Sequence, residues 1–167
     1  MTMKLIIGLG NSGKDYENTR HNAGFLVADE LKVKIRNSKP ETLNKSKISI
    51  FKSQNFMNES GDLIKRLVDH YKINLNDLYV IHDDLDIPLG SHKIQFGRGP
   101  KDHNGLKSVD EALGTDQYWH IRVGVDNRPL DNKPLGIEYV LQNFTEEERK
   151  TLDKVIKEVC KKLAMGK

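Results

Sequence analysis

The run Leu78-Tyr79-Val80-Ile81 is apolar at every position rather than at alternate ones, and it stops at His82-Asp83-Asp84. A strand with one wet face alternates apolar and polar residues. A strand covered on both faces has no such need, so this run predicts a strand inside a sheet that is sandwiched between helices. Leu5 to Leu9 is a second run of the same kind, and Ile48 to Phe51, Lys93 to Phe96 and His120 to Val125 read as further strands. Helical spacing recurs between them. Phe25, Ala28 and Leu31 begin one stripe, and Leu63, Ile64, Leu67, Val68 and Tyr71 form another behind Ser60, which reads as an N-cap. Leu106, Val109, Ala112 and Leu113 mark a third. Thr145-Glu146-Glu147-Glu148 matches a capping box ahead of Leu152, Val155, Ile156, Val159 and Leu163. Strands alternating with helices predict an α/β fold: a single-domain three-layer α/β/α sandwich around a mixed, mostly parallel twisted sheet, with residues 1–167 as one unit.

The chain of 167 residues is long enough to bury one core without disulfides or a structural metal. No apolar run approaches the roughly 20 residues of a membrane span. The start, Met1-Thr2-Met3-Lys4-Leu5, leads directly into a strand with no signal-peptide pattern, so a cytoplasmic location is expected. Cys160 is the only cysteine, which excludes an internal disulfide and a thiolate cage, and its position on an apolar stripe suggests packing. The net charge of +3 says little about partners. Lys150, Lys154, Lys157 and Lys161 recur at helical spacing, with Lys162 and Lys167 beyond. A solvated face is the reading to prefer over a phosphate stripe. No apolar face is left over, so a monomer with no obligate protein partner and no membrane contact is expected. Asn37 to Ser46, rich in Asn, Ser, Lys and Pro, reads as a surface connection.

Gly8-Leu9-Gly10-Asn11-Ser12-Gly13 satisfies G-x-G-x-x-G after a strand, yet its context argues against a dinucleotide site. Lys14 to His21 is polar, the helix begins only near Asn22, and the acidic candidates Asp29 and Glu30 fall inside that helix. The polar residues at element junctions carry more information. Asn11 follows the first strand, Phe56-Met57-Asn58 precedes the Ser60 helix, His82-Asp83-Asp84-Leu85-Asp86 follows the Val80 strand, and His103-Asn104-Gly105 precedes the Leu106 helix. His21 closes the first loop. Strand ends are where α/β folds present functional groups. Each residue alone could be a cap or turn, and Asp83, Asp84 and Asp86 could instead hold a hard cation, although they do not match an EF-hand loop. No serine or cysteine sits in a nucleophile elbow.

Taken together, Gly8 to Tyr16, Thr19-Arg20-His21-Asn22-Ala23-Gly24, Phe56-Met57-Asn58-Glu59-Ser60-Gly61, His82 to Asp86, His103-Asn104-Gly105-Leu106-Lys107 and His120 to Val125 resemble the bacterial peptidyl-tRNA hydrolases, in order and over most of the chain. The resemblance implies hydrolysis of the ester between an N-blocked peptide and the 3′ end of tRNA, with no cofactor and no metal. It implies that His21 is the general base, that Asp83 orients it, and that Asn11, Asn58 and Asn104 line the site. Tyr16, Phe56 and Met57 would form its walls, and His103 would meet the substrate. Lys93, Arg98, Lys107 and Arg122 match the surface that meets tRNA phosphates. A neutral imidazole can take a proton from water near pH 7, and a carboxylate on its other nitrogen fixes the tautomer. On the carried-over position of Asn11, its amide oxygen would accept the N–H of a blocked amine, whereas a free ammonium would need extra desolvation. Ser12 replaces the family's usual proline, and Lys101-Asp102 replaces small residues before His103. Two rival functions follow from these residues: an RNA-binding adaptor without hydrolysis, and a metal-dependent hydrolase built on Asp83 to Asp86.

Overall fold

The two unbroken apolar runs lie side by side. β1 (Met3–Gly8) pairs in parallel with β3 (Leu78–Pro88), Ile7 opposite Val80. The structure is a computed structural model and describes residues 3–38 and 47–164. β2 (Lys47–Lys52) flanks β1, and β5 (Trp119–Asp126) flanks β3. β4 (His92–Phe96) closes the far edge antiparallel to β5, giving the order β2-β1-β3-β5-β4. Side chains alternate across a strand, so Ile6 and Ile7 serve opposite cores. Ile6, Ile81, Ile121 and Val123 pack against α1 (Ala23–Asn37) and α5 (Glu146–Ala164), through Val27, Leu31, Val155 and Ile156. Leu5, Ile7 and Val80 pack with Ile64 of α2 (Ser60–Tyr71) and with Leu106 and Val109 of α3 (Asn104–Leu113). This is the expected three-layer sandwich with a mixed, mostly parallel sheet. A short helix, α4 (Gly136–Val140), follows β5. Beyond Ser38 the Asn37 to Ser46 connection lies outside the described residues, as does Lys167.

The glycine-rich segment closes a helix–sheet contact. After Gly10 the chain runs through short 3₁₀ turns at Lys14–Tyr16 and Arg20–Asn22, and α1 begins only at Ala23. A methyl group on Gly24 would drive into the carbonyl oxygens of Leu9 and Ile81, and one on Gly8 into Gly24. These glycines let the start of α1 sit directly on β1 and β3. At the other end, Thr145 and Glu148 form the expected capping box. The Thr145 N–H donates to Glu148 Oε2 (2.9 Å) and the Glu148 N–H to Thr145 Oγ1 (3.2 Å). Cys160 is buried, with burial pushing its thiol up to about 12, as befits a packing residue.

Two expectations are corrected. Ser60 is not the cap of α2 but its first residue; it is fully buried, and its hydroxyl donates to the carbonyl of Met57 in the preceding 3₁₀ turn Met57–Glu59. β3 does not stop at His82. It continues to Pro88, with a register shift against β5 between Asp84 and Pro88. Among the described residues no helix is long and apolar enough to cross a membrane.

Candidate active site

The continuation of β3 carries Asp83, and alternation along the strand sends successive acids to different partners. Asp83 receives the His21 Nδ1–H at 2.9 Å from each of its oxygens. Its Oδ1 also faces His103 Nε2 at 2.8 Å. Asp84 instead pairs with Arg122 Nε at 2.7 Å, and Asp86 is exposed. The acidic cluster therefore disperses rather than converging on a cation.

His103 caps α3 through its ring. Nδ1 accepts the Leu106 N–H (3.3 Å), so Nε2 bears the hydrogen that Asp83 accepts. Asp83 thus has a ring donor on either side. Burial works against its charge, but the two imidazoles outweigh that and hold its carboxyl well below the usual carboxylate range. At His21 burial lowers the pKa, and the Asp83 charge and hydrogen bond overcome it, leaving the imidazole above its ordinary value. His82, fully buried behind them, is held well below its ordinary value, chiefly by burial. Its ring Nδ1–H donates to the Asp83 carbonyl (3.0 Å) and its edge meets the face of His103.

His21, Asp83 and His103 place ligand atoms within 4.8 Å of one another, the spacing of a possible metal site. The donor chemistry fits a proton-bearing triad instead. Both ring nitrogens aimed at Asp83 carry hydrogens, and a cation on His103 Nε2 would move its proton to Nδ1, where the Leu106 N–H already points.

Asn11 is buried. Its backbone is clasped by Asn22, whose Oδ1 accepts the Asn11 N–H (2.8 Å) and whose Nδ2 donates to the Asn11 carbonyl (3.0 Å). Its Oδ1 accepts the Met57 N–H at 2.7 Å. The side-chain oxygen expected to read a blocked amine is thus already engaged. Nδ2 has no partner among the described residues, and it is a donor. Met57 is buried beside Gly105 and His103, while Tyr16 meets the exposed Phe56 edge to face at 6.5 Å. Asn58 and Asn104 are exposed, Asn104 at the first position of α3.

Two clefts open at this end of the sheet. One of about 330 Å³ contains His21, Asp83, His103 and Asn104, and is lined further by Leu85, Pro100, and Ile137 and Val140 of α4. The larger, about 750 Å³, lies between Asn11, α1 and the end of β2 and holds neither His21 nor Asp83. His21 and Asp83 thus line the smaller cleft and Asn11 the larger. Of the cations expected to meet phosphate, Lys93 and Arg98 are exposed. Lys107 is exposed but paired with Asp102 (2.7 Å). Arg122 is not a surface cation: it is buried, held by Asp84 and by Gln95 Oε1 at 2.8 Å. Sequence reasoning missed Asn22, Arg20 and the α4 wall. Asn22 and Arg20 directly flank His21, but nothing in their spacing announces their partners.

A buried carboxylate between two imidazoles stands beside a groove, an arrangement that can hold a histidine ring in one tautomer. The family model described as peptidyl-tRNA hydrolase matches residues 5–166. The chain is 41% identical over 164 residues to the peptidyl-tRNA hydrolase of Geobacillus kaustophilus, covering 92% of this chain and 87% of that protein. It is 43% identical over 162 residues to that of Aliarcobacter butzleri, covering 93% and 87%. Among solved structures, a peptidyl-tRNA hydrolase in complex with N-propanol superposes with a TM-score of 0.82 at 25% identity, over 98% of this chain and 87% of that one. The enzyme from Acinetobacter baumannii gives 0.80 at 26%, over 98% and 89%. The chain belongs to the peptidyl-tRNA hydrolase family.

Proposed function

We propose that this chain frees tRNA from N-blocked peptides by hydrolysing the ester at the tRNA 3′ end, with His21 as general base and without a metal. The observation that carries this reading is the pair of 2.9 Å contacts from His21 Nδ1 to Asp83 beside the groove. With its Nδ1 hydrogen given to Asp83, neutral His21 offers the Nε2 lone pair to a water. The water oxygen attacks the ester carbonyl carbon as His21 takes a proton from it. The imidazolium then returns a proton to the departing ribose oxygen as the carbon–oxygen bond breaks. Asp83 stays ionised throughout and stabilises the imidazolium.

Asn11 donates through Nδ2 to the substrate carbonyl as negative charge develops there, and its oxygen, with one lone pair given to the Met57 N–H, keeps the second for the N–H of a blocked amine. Asn58 and Asn104 are the remaining amide contacts, and Tyr16, Phe56 and Met57 form the wall. His103 serves by holding Asp83. The acceptor end of peptidyl-tRNA approaches over Lys93, Arg98 and Lys107. The enzyme works as a cytoplasmic monomer.

Single-turnover hydrolysis of N-acetyl-aminoacyl-tRNA, compared with the unblocked ester, tests the reading. His21→Ala is expected to lose about 10²- to 10⁴-fold in rate on the blocked substrate. A folded His21→Ala protein with the wild-type rate would remove His21 from the mechanism, and loss of wild-type activity in a chelator would favour a metal hydrolase.

A further inference from the structure

Arg20 stands immediately before the proposed base, and its side chain is only 6% exposed. Its NH2 pairs with Glu148 Oε2 at 2.8 Å, its NH1 donates to the Tyr139 carbonyl at 3.2 Å, and its guanidinium lies 3.8 Å from the centre of the Tyr139 ring. Glu148 is equally enclosed and also receives Asn127 Nδ2 (3.1 Å) and the Thr145 N–H. The main chain repeats the attachment: the Arg20 N–H donates to the Gln142 carbonyl, and the Phe144 N–H to the Asn18 carbonyl. The turn Arg20–Asn22 has only two backbone hydrogen bonds of its own, from the Asn22 N–H to the Thr19 carbonyl and from the Ala23 N–H to the Arg20 carbonyl, too little to fix a conformation alone. His21 is therefore held from both sides, by the Asn22 clasp on Asn11 and by the attachment of Arg20 to α4 and the start of α5.

We propose that Arg20, through Glu148 and Tyr139, is a positioning residue for the hydrolysis, holding His21 on Asp83 and tying it to the α4 wall of the groove. Tyr139 sits between Ile137 and Val140, both of which line the groove, so the wall that meets the substrate and the turn that carries the base share one buried hub. An independent observation points the same way. Arg20 Nε is the one buried side-chain nitrogen or oxygen among the described residues without a hydrogen-bond partner. Such a donor in a buried ion pair marks a guanidinium whose orientation is set by its other partners, Glu148 and Tyr139. A charge pair serving packing alone could be replaced by apolar side chains without loss.

The inference rests on His21 being the base, and its test reads the His21 ring directly as well as the rate. Glu148→Gln, Arg20→Lys and Arg20→Met would be checked for folding by thermal unfolding. Then kcat and KM would be measured on N-acetyl-aminoacyl-tRNA across pH, and the His21 ring titrated by ¹⁵N NMR. Misplacing a catalytic group by about 1 Å costs on the order of 10²-fold, so Arg20→Met should lose about that in kcat with KM changed less than about threefold. Its His21 titration should move down as the ring leaves Asp83. Arg20→Lys should recover part of both effects, and Glu148→Gln, isosteric and the least disruptive to folding, should show them in milder form. Folded variants that lose only thermal stability, with kcat and the His21 titration of the wild type, would make the hub a packing feature and overturn the proposal. A shifted His21 titration in folded Glu148→Gln or Arg20→Met with kcat unchanged would show that the hub holds the ring but that His21 is not the base, which overturns the positioning role together with the proposed function.

Discussion

At His21 two opposing effects act on one proton. Burial disfavours the imidazolium, and the Asp83 carboxylate favours it more strongly, so the folded value lies above the ordinary 6.5. Since the base must be neutral, kcat/KM should rise with pH along a limb centred above 6.5. Asp83→Asn removes what raises His21 and leaves burial. The limb should then move below 6.5, and the plateau rate should also fall because the tautomer is no longer held. A pH–rate profile whose acid limb does not move would detach Asp83 from His21. The stability consequences have opposite signs for the two partners. The His21 contribution is complete below 6.5 and is lost as pH rises through the raised folded value. The Asp83 contribution is complete above 3.8 and is lost as pH falls through its depressed folded value. Urea midpoints of wild type and Asp83→Asn should therefore differ most between pH 3.8 and 6.5. Arg122 calls for separate treatment. Removing it leaves Asp84 buried and uncompensated, which costs about 3–5 kcal/mol when one partner of a buried pair is lost. Arg122→Ala should show this in urea denaturation, and weaker tRNA binding by that variant would then reflect folding rather than a lost phosphate.

Elements were legible where one residue type answers to one local cause. Leu5 to Leu9 and Leu78 to Ile81 read as central strands because both faces of each are covered, and the Thr145–Glu148 box closes within four residues of sequence. The reading failed where partners come from far along the chain. His82-Asp83-Asp84 looks like the end of a strand, yet the strand continues because His21, His103 and Arg122 satisfy those polar groups inside the fold. Ser60 looks like a cap, but the 3₁₀ turn before it takes up the start of α2 and its hydroxyl turns back to Met57. The site shows the same division. Residue types identified His21, Asp83 and the asparagines, the family resemblance supplied their roles, and the engagement of Asn11 by Met57 appeared only in three dimensions. The contact of α1 with the sheet gives an element-scale prediction. A methyl on Gly24 meets the carbonyl oxygens of Leu9 and Ile81, backbone atoms that cannot rotate away. Gly24→Ala should gain about 1 kcal/mol in helix propensity and lose more to overpacking, for a net destabilisation of about 1–3 kcal/mol. A urea midpoint at or above wild type would mean that α1 can withdraw from β1 without cost.

Across the whole molecule, two groups of cations lie on opposite faces of the sheet, one reached from β4 and α3 and one along α5. β4 settles which is which. His92 turns toward α5, within 3.0 Å of Lys162 Nζ, so its neighbour Lys93 projects from the opposite face, on the α2 and α3 side, in register with Arg122. Arg98 follows on the segment that leads through Pro100 and Lys101 into the groove, and Lys107 rises from α3 beside it. The α5 lysines, Lys150, Lys154, Lys157 and Lys161, are exposed in the other helical layer, as either a solvated face or a phosphate stripe requires. A net charge of +3 is too small to bind nucleic acid from every side, so the location of the cations should decide affinity. Lys93→Ala and Arg98→Ala should each weaken tRNA binding and reduce the slope of log affinity against log salt by about one contact. Lys107→Ala should do less, because Asp102 already offsets its charge. Replacing Lys150, Lys154 and Lys157 together by glutamine should leave both the affinity and the slope within experimental error. If the α5 triple variant loses salt dependence while Lys93→Ala and Arg98→Ala keep it, the tRNA lies across the opposite layer, and the path of its 3′ end into the His21 groove must be redrawn.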